Sequence, residues 1–160
     1  MGQRPIHGGR VYLSGGMEYA PGEGRDWREE LEAWLVGELG CTVFNPNRES
    51  ERFLREQIPG VDFRRLKRED AARFRELVSA IVEQDSSEIA ERTDAVICLW
   101  DDGAHRGAGT TGELTLARRY GKPVYMVTQT PGEDIPGWIL GCVTKTFETF
   151  DALKAYLHPR

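Results

Sequence analysis

Residues 94–100, DAVICLW, form the most continuous apolar run in the chain. A run this short that offers no polar alternation reads as a strand covered on both faces, hence as the centre of a parallel sheet. Other short apolar runs flank it in a regular order. RVYLS (10–14) ends in Gly15-Gly16, CTVF (41–44) stops at Asn45-Pro46, PVYMV lies at 123–127, and a fifth run covers 143–147. Helical patterns separate them. The first begins at Asp26, where Glu29 completes a capping box, shows one face of Trp27, Leu31, Trp34, Leu35 and Leu39, and ends at Gly40. A polar helical stretch fills 48–92, broken near Pro59-Gly60 and again near Asp85, where DSSE offers a cap. A loop at 101–110 precedes a helix that runs to Tyr120 with Gly121 behind it, and 148–157 closes the chain. Strands alternating with helices predict a three-layer α/β sandwich with a doubly wound, parallel five-stranded sheet.

The chain of 160 residues has room for one domain and no separate substrate domain, so a single unit over 1–160 is expected. The formal charge of −5 and a pI near 5.3 argue against nucleic acid as partner, since binding a duplex requires a basic stripe. Arg64, Arg65, Lys67 and Arg68 do cluster, but Asp62, Glu69 and Asp70 interleave with them, as on a solvated helix face. No apolar run approaches the ~20 residues needed to span a bilayer. The opening MGQRPIHGGR lacks the apolar core of a secretion signal, so a cytoplasmic protein with no membrane partner is expected. Cys41, Cys98 and Cys142 are far apart, with no metal-ligand spacing, and are read as buried thiols.

The stretch GAGTTGEL, 107–114, matches the G-x-G-x-x-G dinucleotide fingerprint letter for letter. The fingerprint belongs directly after a first strand, with an acid at the end of the next one. Here it follows the third strand after the insertion DDGAHR, and the next strand ends in Thr128-Gln129. The match is therefore accidental. Thr110 to Glu113 instead opens a helix beyond the carboxyl end of a central strand, where open α/β sheets bind ligands. T-x-x-E is also the signature of a capping box, and the residues alone leave both readings open. In the functional reading the helix start keeps Glu113 ionised.

VYLSGGM, EQDSSEIAERTDAVICLW and GTTGELTLARRYGKPVYMV occur in order and span most of the chain. Together they resemble the nucleoside 2-deoxyribosyltransferase family and its relatives, the nucleotide N-glycosidases. The resemblance implies a flavodoxin-like (Rossmann-like) sheet and an enzyme that cleaves or exchanges the N-glycosidic bond of a deoxyribonucleoside without metal or organic cofactor. It implies that Glu113 is the nucleophile, forming a glycosyl ester that a second base or water resolves. Tyr12 corresponds to the tyrosine that hydrogen-bonds the nucleophile, and Asp85 to the aspartate that engages the sugar and handles protons. Gly15, Gly16, Gly109 and Thr110 fall at the substrate. The resemblance also implies a homo-oligomer in which the segment IPGWILG reaches a neighbouring site, which makes Trp138 a candidate for both interface and base contact.

The chain departs from the family pattern at two places. The aspartate that contacts the base shortly before the nucleophile is Gly107 here, and Asp101 or Asp102 is expected to reach that volume. The N-glycosidases hold a 5′-phosphate with serines and an arginine where this chain has Gly16 and Glu18. A glutamate beside a phosphate is repulsive, unless Arg25, Arg48, His105 or Arg106 offsets it. Transfer or cleavage on a free nucleoside is therefore expected, with hydrolysis of a 5′-monophosphate, or an idle nucleotide-binding sensor, as the alternatives.

Overall fold

The computed structural model describes residues 6–158. Residues 1–5, part of the segment read for a secretion signal, lie outside them. Five parallel strands, β1 (Arg10–Gly15), β2 (Thr42–Phe44), β3 (Ala95–Leu99), β4 (Val124–Val127) and β5 (Lys145–Phe147), form one sheet in the order β2-β1-β3-β4-β5. The central apolar run is β3, with Ala95 to Cys98 fully buried between β1 and β4, as its composition predicts. Connections leave β1 and β3 toward opposite sides of the sheet, so their carboxyl ends form the switch point where such sheets open a crevice.

Alternation along the strands divides the interior in two. Val11, Leu13, Ile97, Tyr125 and Val127 face α1 (Arg25–Leu39) and α8 (Phe150–Leu157). Tyr12, Val96, Cys98, Val124 and Met126 face α4 (Ala71–Glu91), α6 (Gly109–Arg119) and α7 (Gly137–Cys142). This is the predicted three-layer α/β arrangement, and all three cysteines are unbridged and buried within it. No helix among the described residues is long and apolar enough to cross a membrane.

The polar crossover between β2 and β3 consists of α2 (Pro46–Gln57), α3 (Phe63–Glu69) and α4. Asn45 and Pro46 do more than stop a strand, because the Asn45 side chain accepts the Asn47 amide and caps α2. The expected break at Asp85 is absent. α4 runs straight through it, since Leu77 and Ile89 pin both halves of the helix, and the Ser87 hydroxyl donates to Glu83 within the helix rather than capping a new one. Packing outweighs the local capping preference there.

Two further expectations fail at helix starts. α1 begins at Arg25 behind a left-handed Gly24, with no capping side chain, so Asp26 and Glu29 form no capping box. The segment 101–110 is not all loop, because α5 (Asp102–Arg106) forms within it, capped by Asp101, which accepts the Ala104 amide at 2.9 Å.

The loop after β1 lies directly on α5. A Cβ at Gly16 would stand 2.6 Å from the carbonyl carbon of Gly103, and one at Gly103 would meet the Ala20 Cβ at 3.0 Å. Backbone sits where side chains would be. Gly16→Ala should therefore destabilise the protein by roughly 1–3 kcal/mol in urea unfolding. Gly112→Ala, in the middle of α6 with nothing within 4 Å of its new methyl, should stabilise it by about 0.5–1 kcal/mol.

Candidate active site

Tyr12 and Ser14 lie two residues apart on β1 and so point to the same face, toward α4 and α6. They pair in register with Val96 and Cys98 of β3, at the carboxyl end of the switch point. Tyr12 is fully buried and stacks on Phe44, with ring centroids 5.2 Å apart. From α4 comes Asp85, and from the first half of α6 comes Glu113. The Ser14 hydroxyl donates a long hydrogen bond of 3.4 Å to Glu113 Oε1.

Tyr12 Oη, Asp85 Oδ1 and Glu113 Oε2 are each buried without a hydrogen-bond partner, three of four such side-chain atoms among the described residues. Buried polar groups are usually satisfied, so three orphans on side chains near enough to shift one another's protonation make this the candidate site. Burial and one another's charge govern their protonation. Burial raises the Glu113 carboxyl to about 8, the charge of Asp85 adds to this, and Tyr12, Arg28 and Ser14 oppose it. Burial likewise raises Asp85 to about 7 against Tyr12 and Arg28. The Tyr12 hydroxyl is held in its neutral form by burial and by the two carboxyl groups. It stands near enough to favour ionisation of both, though no hydrogen bond of ordinary length joins it to either. The expectation that a helix start keeps Glu113 ionised is thus reversed. α6 begins at Gly109 behind Ala108 with no side-chain cap, and Thr110 is buried inside its first turn, so the capping-box reading of T-x-x-E fails as well.

Asp85 also lines a cavity of about 460 Å³ enclosed by α2, α4, the start of α3 and the loop after β1. Met17, Leu54, Ile58, Phe63, Val78 and Ile81 give it apolar walls, and its volume suits a small molecule. Its basic residues already have acidic partners: Arg25 with Glu51 at 2.9 Å, Arg64 with Glu23 at 2.9 Å, and Arg55 with Glu51 at 3.7 Å. Beside it, Glu18 pairs with Lys67 at 2.6 Å. The basic cluster on α3 thus closes over the loop after β1 through ion pairs, rather than merely facing solvent.

The remaining sequence candidates fall in several places. Gly15 and Gly16 are at the end of β1, where the Gly15 carbonyl accepts from Arg28 and Gly16 packs on α5. Gly109 opens α6 within 4.0 Å of Glu113 Oε1, measured from the Cβ it lacks. Asp101 and Asp102 line a different cavity, with Trp100, Thr128 and Thr149, and not the one that Asp85 lines. Trp138 is 68% exposed on α7 and donates to Thr115 at 2.9 Å, outside the Asp85 cavity. His105 and Arg106 are exposed on α5, where Arg106 lies over Tyr19. No group of His, Cys, Asp and Glu among the described residues is arranged to hold a metal ion.

Sequence reasoning missed Arg28, Asn47 and Ser14. Ser14 was legible from strand alternation with Tyr12. Arg28 stands three and seven residues before Leu31 and Leu35, on the buried face of α1, a spacing that marks it as an interior cation. Asn47 had no such signal.

No protein-family model and no curated protein matches the chain. Solved structures do. A 2-deoxyribosyltransferase from Bacillus psychrosaccharolyticus is 22% identical, covering 94% of this chain and 97% of its own, with a TM-score of 0.59. The CMP N-glycosidase BcmB from Clostridium botulinum is 17% identical, covering 92% and 97%, with a TM-score of 0.51. The chain therefore has the nucleoside deoxyribosyltransferase fold.

The protonation of the pair sets a pH dependence of stability. Both carboxyls keep protons in the folded protein at pH values where the unfolded chain has lost them, from about 4 up to about 7 for Asp85 and about 8 for Glu113. The unfolded state binds fewer protons there, so the contribution of this pair to stability is greatest below that window and is lost as pH rises through it. Glu113→Gln should remove much of this slope. At about pH 8 to 9 its Tm should exceed that of the parent by about 2–4 °C, the shift that each ~1 kcal/mol produces in a chain of this size. At about pH 4 the two should melt together. A Tm difference between variant and parent that does not widen from about pH 4 to about pH 9 contradicts the assignment.

Proposed function

We propose that this chain is a member of the nucleoside deoxyribosyltransferase family that cleaves or exchanges the N-glycosidic bond of a deoxyribonucleoside, with Glu113 as nucleophile. The observation that carries the reading is the convergence of the unpartnered Tyr12, Asp85 and Glu113 atoms at the β1/β3 switch point, beside a cavity of about 460 Å³. The activities named for the two structures of like fold agree with it.

In this reading Glu113 first loses its proton to solvent, and the carboxylate then attacks the anomeric carbon as the bond from that carbon to the base nitrogen breaks and the bonding pair leaves with the base. Asp85, which burial raises to about 7 so that a large fraction carries a proton at neutral pH, delivers that proton to the departing base. The glycosyl ester is then attacked at the same carbon by a second base or by water. The incoming nucleophile returns its proton to Asp85, and Glu113 leaves as carboxylate. Tyr12 steadies the Glu113 anion, and the dry setting favours the neutral resting pair over two adjacent charges. A sensor without chemistry has no use for buried carboxyl groups left unsatisfied at this cost.

Glu113→Ala should abolish turnover while the protein stays folded, since the side chain forms one long hydrogen bond and no ion pair among the described residues. Incubation with a panel of deoxynucleosides, with and without a free acceptor base, checks this and separates transfer from hydrolysis by product. Turnover retained in folded Glu113→Ala would refute the assignment.

The substrate we favour is the free nucleoside rather than its 5′-monophosphate. Arg25, Arg55 and Arg64 at the cavity already share Glu51 and Glu23, and Lys67 shares Glu18. A phosphate would bring up to about two negative charges among paired acids. Gly16 cannot be replaced by a phosphate-binding serine without displacing α5. The ratio of kcat/KM for a deoxynucleoside to that for its monophosphate should exceed one, and Glu18→Gln, which frees Lys67, should lower it severalfold. A monophosphate that is the better substrate reverses this choice.

A further inference from the structure

Asp85 lines the cavity of about 460 Å³, and Glu113 does not. That asymmetry orients a substrate. Two carboxyl groups that act on a glycosidic bond stand on either side of it, so a base displaced by Glu113 departs on the side of Asp85. The space on that side is the cavity. It is therefore the place for the base, while the sugar stays between the two carboxyl groups.

Asn47, Ser50, Leu54 and Ile58 recur three or four residues apart along α2 and so present one face of the helix to this cavity. Leu54 and Ile58, with Phe63 and Ile81 opposite, suit the flat faces of a heterocycle. The polar edge of that ring needs a partner once it leaves water. Few groups are free to supply one. Arg25 and Arg55 are held by Glu51, and Arg64 by Glu23. Asp62 accepts the Arg64 amide at 3.0 Å. Two uncharged polar side chains line the cavity, and the first, Asn47, has both ends of its amide engaged. It donates to the Glu23 carbonyl at 3.0 Å and accepts from Arg28 at 3.0 Å.

The second is Ser50. It is 8% exposed, and its hydroxyl forms no hydrogen bond among the described residues. A hydroxyl within a helix commonly returns its proton to the carbonyl four residues back, as Thr115 does to Thr111 at 2.7 Å. Ser50 makes no such bond to Pro46. A buried polar side chain with no partner, on the cavity face of its helix, is a group kept free for what enters.

We propose that Ser50 is the specificity-determining residue of this site, whose hydroxyl bonds the polar edge of the nucleobase seated in the cavity. The proposal rests on the reading of Glu113 and Asp85 as the groups that cleave the glycosidic bond. A serine hydroxyl both donates and accepts, so it meets a ring nitrogen, an amino group or a carbonyl. In so closed a setting a base without a polar edge gains nothing from it and leaves the hydroxyl unsatisfied.

The test uses the whole protein with free bases as probes. Calorimetry gives the affinities of the parent and of Ser50→Ala for adenine, hypoxanthine, cytosine and thymine. It also gives those for benzimidazole and difluorotoluene, which keep the shapes of a purine and a pyrimidine without the hydrogen-bonding edge of the six-membered ring. Alanine is the better helix former, so the variant keeps its fold. The base that the parent binds most tightly should bind Ser50→Ala about tenfold more weakly, and its apolar counterpart should bind both proteins within about twofold. The kcat/KM for the matching deoxynucleoside should fall by the same factor as the affinity for the base. A parent that binds none of the bases overturns the proposal. So does a variant that binds them as tightly as the parent, or one that loses the apolar counterpart to the same extent, which marks a change of packing. If the bases bind with the expected dependence on Ser50 but the parent cleaves no deoxynucleoside, the activity is refuted and the base site stands. Cleavage that does not depend on Ser50 has the opposite meaning.

Discussion

Glu113 and Asp85 are two half-buried carboxyl groups, each with one oxygen out of reach of solvent and without a hydrogen-bond partner, and burial raises the pKa of both. Much of the surrounding architecture follows from keeping them there. They come from α6 and α4, two helices that pack on one face of the sheet through Leu114, Ala117 and Ile89. Apolar burial of those side chains, at about 25 cal/mol per Å² removed from water, offsets the unfavourable site. α4 runs unbroken through Asp85, despite a local sequence suited to a helix start, because Leu77 and Ile89 pin both of its halves.

The other face contributes through the end of β1. Arg28 reaches from α1, a helix packed on the opposite side of the sheet, to the carbonyls of Leu13 and Gly15 at that end. Strand β1 thus carries Tyr12 and Ser14 toward one layer and takes its fixed position from the other. The switch point makes this possible, because the strands on either side of it send their chains in opposite directions and leave their carboxyl ends uncovered. Over the opening, α3 is held to the loop after β1 by the Arg64–Glu23 and Lys67–Glu18 pairs. These pairs are largely exposed and contribute little to stability, but they set the charge at the mouth of the cavity.

Most of the fold was legible because hydrophobic periodicity reports burial, and burial is what the sheet and its two layers are made of. The DAVICLW run read as a central strand and is one, and the positions of β1, β2, β4 and β5 followed from short apolar runs between turn residues. Helix starts were the weaker part. Asp26, Thr110 and Asp85 all look like caps, and none is one, because capping involves about 1 kcal/mol and tertiary packing readily exceeds it. Asn45 is a cap that looked like a strand stop.

The sequence by itself determined the layered parallel sheet, the acid on the helix beyond its central strand, and the tyrosine on its first strand, since these depend on local pattern and on order along the chain. Only the tertiary structure decided that the unpartnered buried atoms of Tyr12, Asp85 and Glu113 come near enough to shift one another's protonation, that Asp101 and Asp102 line a separate cavity, and that Arg28 is buried against neutral oxygens at the end of β1. Protonation depends on desolvation and on distances between residues far apart in sequence. Neither quantity exists until the chain is folded.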